Sequence, residues 1–200
     1  MRKLVYLISP NKIYDDFYDD LKKVLSVKNV KFFQLRLKNT KKDKIIEIAK
    51  KIKKITRKYG VKLIINDHPN ISKITNADGC HLGQKDGLVI NAKKILKKKI
   101  IGVTCHNSKF LAKTALKNKV DYLAFGSFNR SKLKPNAKKA NLDILKWAKR
   151  NIKKPIIAIG GINNSNYKKI IKSGAKYIAI SSYIWDNPKL KPEIAIKKFK

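Results

Sequence analysis

The sequence is short of acid: 13 Asp and Glu stand against 49 Lys and Arg in 200 residues, a formal net charge of +36. Taken alone, that excess suits a polyanionic partner. Its distribution argues otherwise. The basic residues are mostly Lys and recur on the polar side of amphipathic segments such as KKDKIIEIAKKIKKITRK, as a solvated helix face does. No Cys/His finger or basic–aromatic RNA motif is present, so no specific nucleic-acid partner is expected. Cysteine is nearly absent. Cys80 and Cys105 give neither a disulfide framework nor zinc spacing, and they suit a reducing compartment. No run is apolar and long enough to cross a bilayer. The first apolar run stops at Pro10 without a small-residue cleavage site. The expectation is therefore no signal peptide, no membrane partner and a cytoplasmic location. A Gly-x-Gly-x-x-Gly after the first strand is also missing, which weakens a dinucleotide fold. No linker or low-complexity break divides the chain, so residues 1–200 are read as one domain.

What is present is alternation. Apolar residues make up 43%, and short apolar runs alternate with longer amphipathic ones. Strands are predicted at Leu4–Ile8, Phe32–Arg36, Lys62–Asn66, Gly79–Leu82, Ile100–Thr104, Tyr122–Gly126, Ile156–Gly160 and Tyr177–Ser181. Several are continuously apolar, as strands buried on both faces are. Helices are predicted at Tyr14–Val27, Lys41–Tyr59, Pro69–Thr75, Asn91–Leu96, Ser108–Lys117, Leu142–Arg150, Ser165–Ser173 and Lys191–Lys197. The second is clearest: Ile45, Ile48, Ala49, Ile52 and Ile55 recur at helical spacing, and Gly60 follows as a C-cap. Asn163 and Asn164 are candidate caps for the helix after Gly161. Eight such units imply a compact (β/α)8 TIM barrel, with a doubly wound open sheet as the alternative. The one long irregular segment, Phe128–Asn141, reads as a lid.

Polar residues collect at the same ends of successive strands, where a barrel keeps its chemistry. Gln34, Arg36 and Lys38 leave the second strand at alternate positions, hence on one side. Asn66 and Asp67 end the third strand; His81, Gln84 and Asp86 belong to the fourth. Thr104 and His106 end the fifth, and Ser127, Ser131, Lys132 and Lys134 follow the sixth. Gly160-Gly161 and Ser181-Ser182 end the last two. Any one of these could be a cap or turn residue; their common placement points to a site. Asp67 and Asp86 are scarce carboxylates that suit a hard divalent ion such as Mg²⁺, or else pair with Lys. The glycines and serines after strands seven and eight suit a phosphate on free amides. Arg36 can clamp phosphate in a fork and Lys38 adds a compact charge. His81 reads first as a hydrogen-bonded structural residue and second as an acid–base group. Cys105 reads as a packing residue. No nucleophile–base–orienter triad stands out.

Together these residues resemble the thiamine-phosphate synthase family. The matching pieces are Gln34-Leu-Arg36-Leu-Lys38, Asn66-Asp67, Gly79-Cys-His81-Leu-Gly83-Gln84-Lys-Asp86, Gly102-Val-Thr104-Cys-His106, Asp121-Tyr-Leu-Ala-Phe-Gly126, Ile159-Gly160-Gly161-Ile162 and Ala179-Ile-Ser181-Ser182. The His-Leu-Gly-Gln-x-Asp element is specific; Gly-Gly-Ile is shared by many phosphate-binding barrels. The resemblance implies a Mg²⁺-dependent transferase that joins 4-amino-2-methyl-5-hydroxymethylpyrimidine diphosphate to a thiazole phosphate, or its carboxylated form. The products are thiamine monophosphate and diphosphate, formed through a stabilised carbocation, and carbon dioxide leaves too where the thiazole carries a carboxylate. It implies Asp67 and Asp86 as metal ligands and Arg36, Lys38, Thr104 and Lys134 as catalytic. It assigns Gln34, Asn66, His106, Ser131, Gly160, Gly161, Ser181 and Ser182 to substrate. The partners implied are these phosphorylated small molecules, with homo-oligomerisation left open.

The departures lie mainly in the lid. A Thr-x-Thr-Lys is usual there, and Ser131, Leu133 and Lys134 stand on those positions, with Arg130 where Pro is usual. His68 replaces a frequent Arg and Leu37 a frequent Glu. These changes leave open a phosphate contact taken over by Arg130 or Lys132, a weaker diphosphate site or a different substrate. A thiazole tautomerase shares the His at 106 but lacks the full set of Gln34, Asp67, Gln84 and Asp86. A non-catalytic phosphate-ligand barrel is the alternative outside catalysis.

Overall fold

The computed structural model describes residues 3–129 and 139–200. Eight parallel strands close into a barrel in sequence order. They are β1 Val5–Ile8, β2 Val30–Leu35, β3 Lys62–Asn66, β4 Gly79–Leu82, β5 Ile100–His106, β6 Tyr122–Phe125, β7 Ile156–Ile159 and β8 Tyr177–Ile180. β1 pairs with both β2 and β8, which leaves no free edge. The open-sheet alternative is therefore excluded. The helices are α1 Phe17–Ser26, α2 Lys42–Lys58, α3 Pro69–Ile74, α4 Val89–Leu96, α5 Lys109–Lys117, α6 Leu142–Asn151, α7 Tyr167–Lys172, α8 Ser182–Trp185 and α9 Pro192–Ile196.

All eight predicted strands are present within a residue or two of their expected limits. Helix α8 was not anticipated as a helix. It is a single turn whose Trp185 indole donates to the Ile8 carbonyl at 2.7 Å, fastening it across the mouth of β1. Gly60 follows α2 at φ 61 and donates to the Arg57 carbonyl, as the C-cap reading required. The expected caps of α7 differ. Asn163 accepts from the amides of Ser165 and Asn166 and so shapes the preceding turn, while Asn166 takes the cap position.

Strand alternation divides the core in two. Outward residues such as Leu7, Phe33, Leu63, Ile65, Cys80, Val103, Cys105 and Ile178 are buried under the helices. Both cysteines lie in this shell, where burial pushes their thiols up to about 12. They are packing groups. Inward residues form a smaller core of Tyr6, Ile8, Phe32, Ile64, Tyr122, Ala124, Ile157, Tyr177 and Ala179. Its centre is aromatic: Phe32 lies 5.4 Å from both Tyr6 and Tyr177 and 5.9 Å from Tyr122, ring centre to ring centre. Gly102 makes room for this cluster. A Cβ there would stand 1.9 Å from the Tyr122 ring.

Candidate active site

Above the aromatic layer, at the carboxyl ends of the strands, the barrel opens into a cavity of about 720 Å³. Every residue assigned above to catalysis, substrate or metal that lies among the described residues lines it: Gln34, Arg36, Lys38, Asn66, Asp67, Asp86, Thr104, His106, Gly160, Gly161, Ser181 and Ser182. Ser131 and Lys134 lie outside the described residues, as do Arg130, Lys132 and Leu133. The expected lid is described only at its ends. There Phe128 and Asn129 donate to the carbonyls of Ile159 and Gly160, and Ala140 donates to that of Ser127.

The β2–β4 side of the cavity is built from charged side chains. Arg36 and Lys38 follow from β2 on the inward face. Their departure from the strand is fixed by Ser9, whose hydroxyl accepts from the Arg36 amide at 3.0 Å. Asp67 sits at φ 63, and its amide donates to the His81 carbonyl at 2.8 Å, which turns its side chain over the mouth. Asp86 is folded back by a tight turn in which its Oδ2 accepts from the Gly83 amide at 2.8 Å. A Cβ on Gly83 would meet that oxygen at 2.5 Å, so the glycine permits the turn. The two carboxyl groups hydrogen-bond one another. Burial first, and Asp86 second, push Asp67 up to about 6. Asp86 lies below the ordinary value: burial opposes this and is outweighed by the hydrogen bond it accepts from Asp67, by the Gly83 amide and by Lys38. Lys38 Nζ stands 3.9 Å from Asp67 Oδ2. Burial lowers Arg36 against the pull of both carboxylates, yet a guanidinium keeps its charge.

The donor set can be tested for a divalent ion. Two carboxylates forced to share a proton are a hard-oxygen pair that a cation between them would relieve. Among the described residues there is no group of three or more His, Cys, Asp or Glu that could hold a metal. Mg²⁺ does not require one, because it commonly takes one or two carboxylates and fills its shell with water and substrate phosphate.

Beside this pair, Gln34 Nε2 donates to Asn66 Oδ1 at 2.8 Å, fixing the two amides. Gln84 does not line the cavity; it donates to the Thr104 carbonyl and braces β5. Leu37 is buried in the outer shell, and His68 is driven toward its neutral form by burial and by Lys42.

The β7–β8 side is built differently, from small residues. Gly160 and Gly161 have φ 105 and 56. Gly160 is required by its own fold, since a Cβ there would lie 1.9 Å from Ser127 Oγ. Ser181 Oγ donates to the Ser9 carbonyl at 2.9 Å, tying β8 to β1. Ser127, read from sequence as following the sixth strand, lines the cavity too, whereas Lys139 lines it and was missed. Lys139 stands at the end of the long loop, which has no periodicity to orient it.

The description "thiamine monophosphate synthase" belongs to a protein family that matches residues 5–184. A thiamine-phosphate synthase of Pelagibacter ubique is 58% identical over 100% of this chain and 97% of its own. One from Saccharophagus degradans is 42% identical over 76% of this chain and 70% of its own. Among solved structures, a thiamine phosphate pyrophosphorylase from Pyrococcus furiosus superposes with a TM-score of 0.88 at 27% identity, covering 98% of this chain and 93% of that one.

Proposed function

The chain belongs to the thiamine monophosphate synthase family, and from that premise we propose that it condenses the pyrimidine diphosphate with a thiazole phosphate, giving thiamine monophosphate and diphosphate. The observation that carries the reading is the division of one cavity into a charged side at β2–β4 and a small-residue side at β7–β8. One substrate loses a diphosphate; the other keeps its phosphate.

On the charged side, Arg36 and Lys38 receive the diphosphate, and Thr104 offers a hydroxyl beside it. Negative charge grows on the leaving group as its bond to the methylene breaks. Cations fixed there therefore favour the transition state over the ground state. Asp67 and Asp86 would hold Mg²⁺, which supplies Lewis-acid neutralisation of that charge when bound. Gln34 and Asn66, already joined to each other, hold the pyrimidine edge with their remaining amide groups. On the other side the backbone at Gly160, Gly161, Ser181 and Ser182, with the Ser182 hydroxyl, receives the thiazole phosphate. His106, at φ 51, faces the space between. The wall of Ile8, Ile159, Ile162 and Ala179 excludes water from the carbocation until the thiazole nitrogen attacks. Ser131 and Lys134 are assigned to the diphosphate by family resemblance.

The test mixes the protein with both substrates, with Mg²⁺ or with excess EDTA, and follows thiamine monophosphate and diphosphate together. Formation of both only with Mg²⁺ supports the reading. No product from intact substrates would refute it.

A further inference from the structure

Four side chains from four strands form one hydrogen-bonded chain that runs from the packed interior to the cavity. The hydroxyls of Tyr6 and Tyr122 lie 2.8 Å apart. The Tyr122 hydroxyl lies 3.0 Å from His81 Nδ1, and His81 Nε2 lies 2.8 Å from Thr104 Oγ1. Tyr6 and Tyr122 are each 2% exposed and His81 8%. The imidazole also stacks on the Tyr122 ring at 5.6 Å and 12°. Burial holds both phenols far above their ordinary value, so each keeps its proton.

The buried end fixes the direction of the chain. Among the described residues the Tyr6 hydroxyl has one hydrogen-bond partner, Tyr122. Were Tyr6 the acceptor, its own O–H would be buried without a partner, at the full desolvation cost of an unmade hydrogen bond. Tyr6 therefore donates. Tyr122 has one proton, which goes to His81 Nδ1. A ring that accepts at Nδ1 carries its proton on Nε2. That proton goes to Thr104 Oγ1, so the threonine cannot donate back and its own hydrogen turns toward the cavity.

We propose that His81 is a positioning residue, held as the Nε2–H tautomer by the Tyr6–Tyr122 pair, which makes the Thr104 hydroxyl an obligate donor to the departing diphosphate oxygen. The catalytic consequence rests on the reading of Thr104 given above; the tautomer does not. In the reverse polarity Thr104 would present only lone pairs to an anion. The buried tyrosines thus act on the chemistry without touching substrate.

Side-chain ¹⁵N NMR of the full chain reads the tautomer without substrate, and the sequence has only 3 His to resolve. His81 should be protonated at Nε2 alone. Tyr6→Phe should leave that pattern, because Tyr122 becomes the terminal donor; Tyr122→Phe should release it into a mixture of tautomers. A wild-type Nδ1–H or doubly protonated ring overturns the proposal, as does an unchanged ring in Tyr122→Phe. In turnover, Tyr122→Phe should lower kcat about tenfold with KM within about twofold, the loss of one hydrogen bond to a charged group. It should add nothing in a Thr104→Val background. Equal losses in both backgrounds mean ordinary packing and overturn it. Thr104→Val at wild-type turnover would refute the role of Thr104 itself, an outcome separable from the NMR result.

Discussion

Acidic residues at the two ends of the same barrel live under opposite conditions. At the carboxyl ends, Asp67 and Asp86 are held against each other at the cavity mouth, and burial, their shared hydrogen bond and their repulsion drive Asp67 toward its neutral form. At the amino ends, Asp78 is saturated with donors: Lys53 at 2.6 Å, Lys62 at 3.3 Å and the Leu63 amide at 2.8 Å. Those donors outweigh burial and hold it below the ordinary carboxylate value. Asp121 does the same work two strands further round, accepting from the Ile101 amide at 2.8 Å. In a chain with so few acids, the lower ones are spent on joining strands and the upper ones are left in tension. Tension that the fold does not relieve is available to a ligand.

The comparison breaks most visibly at Asp86. Asp86→Asn should reduce turnover by about 100-fold or more, as loss of a charge-stabilising group does. Its melting temperature should stay close to that of the parent, because the Asn oxygen can still accept from the Gly83 amide and the repulsion of Asp67 is removed. A large fall in melting temperature would make Asp86 a stability residue like Asp78. Asp78→Asn should do the reverse. It should cost about 1–3 kcal/mol in denaturant unfolding, the range for charged hydrogen bonds, and leave kcat and KM of the folded protein unchanged. The pH dependence follows with its sign. A depressed folded value means that the Asp78 contribution is fully present above the unfolded value of about 3.9 and is lost as pH falls through the folded value. Stability measured across that acid range should therefore fall less steeply in Asp78→Asn than in the parent. The smallest effect is expected at Ser182, a neutral residue of the upper face. Ser182→Ala should raise KM for the thiazole phosphate about threefold at constant kcat, as loss of uniform binding does. A fall in kcat would place Ser182 at the reacting centre.

The barrel and the placement of its site were legible because both are written in local period. Apolar runs marked the strands, and the same alternation turned Gln34, Arg36 and Lys38 to one side. What joins distant strands was not legible. Tyr6 and Tyr122 are separated by 116 residues, and no periodicity relates them. His81 was read as a hydrogen-bonded group, and it is one, but its partners emerge only when β4, β5 and β6 lie side by side. Gly160 was marked for the room it gives a ligand; the structure shows that Ser127 already occupies the place of its side chain. A signal for the aromatic layer was nonetheless present. Tyr6, Phe32, Tyr122 and Tyr177 all occupy inward positions on their strands.

The pairing of β1 with β8, where Val5 meets Ile178 and Leu7 meets Ile180, governs how this protein can be made. On the ribosome β8 is synthesised only after the seven strands that precede it. Until β8 emerges, β1 presents an open row of amides and carbonyls, a template on which another unfinished copy could pair. The net charge of +36, carried largely by lysines along the helices, sets nascent chains to repel one another during that interval. A surface with no evident part in the chemistry thereby guards the sheet while it waits to close.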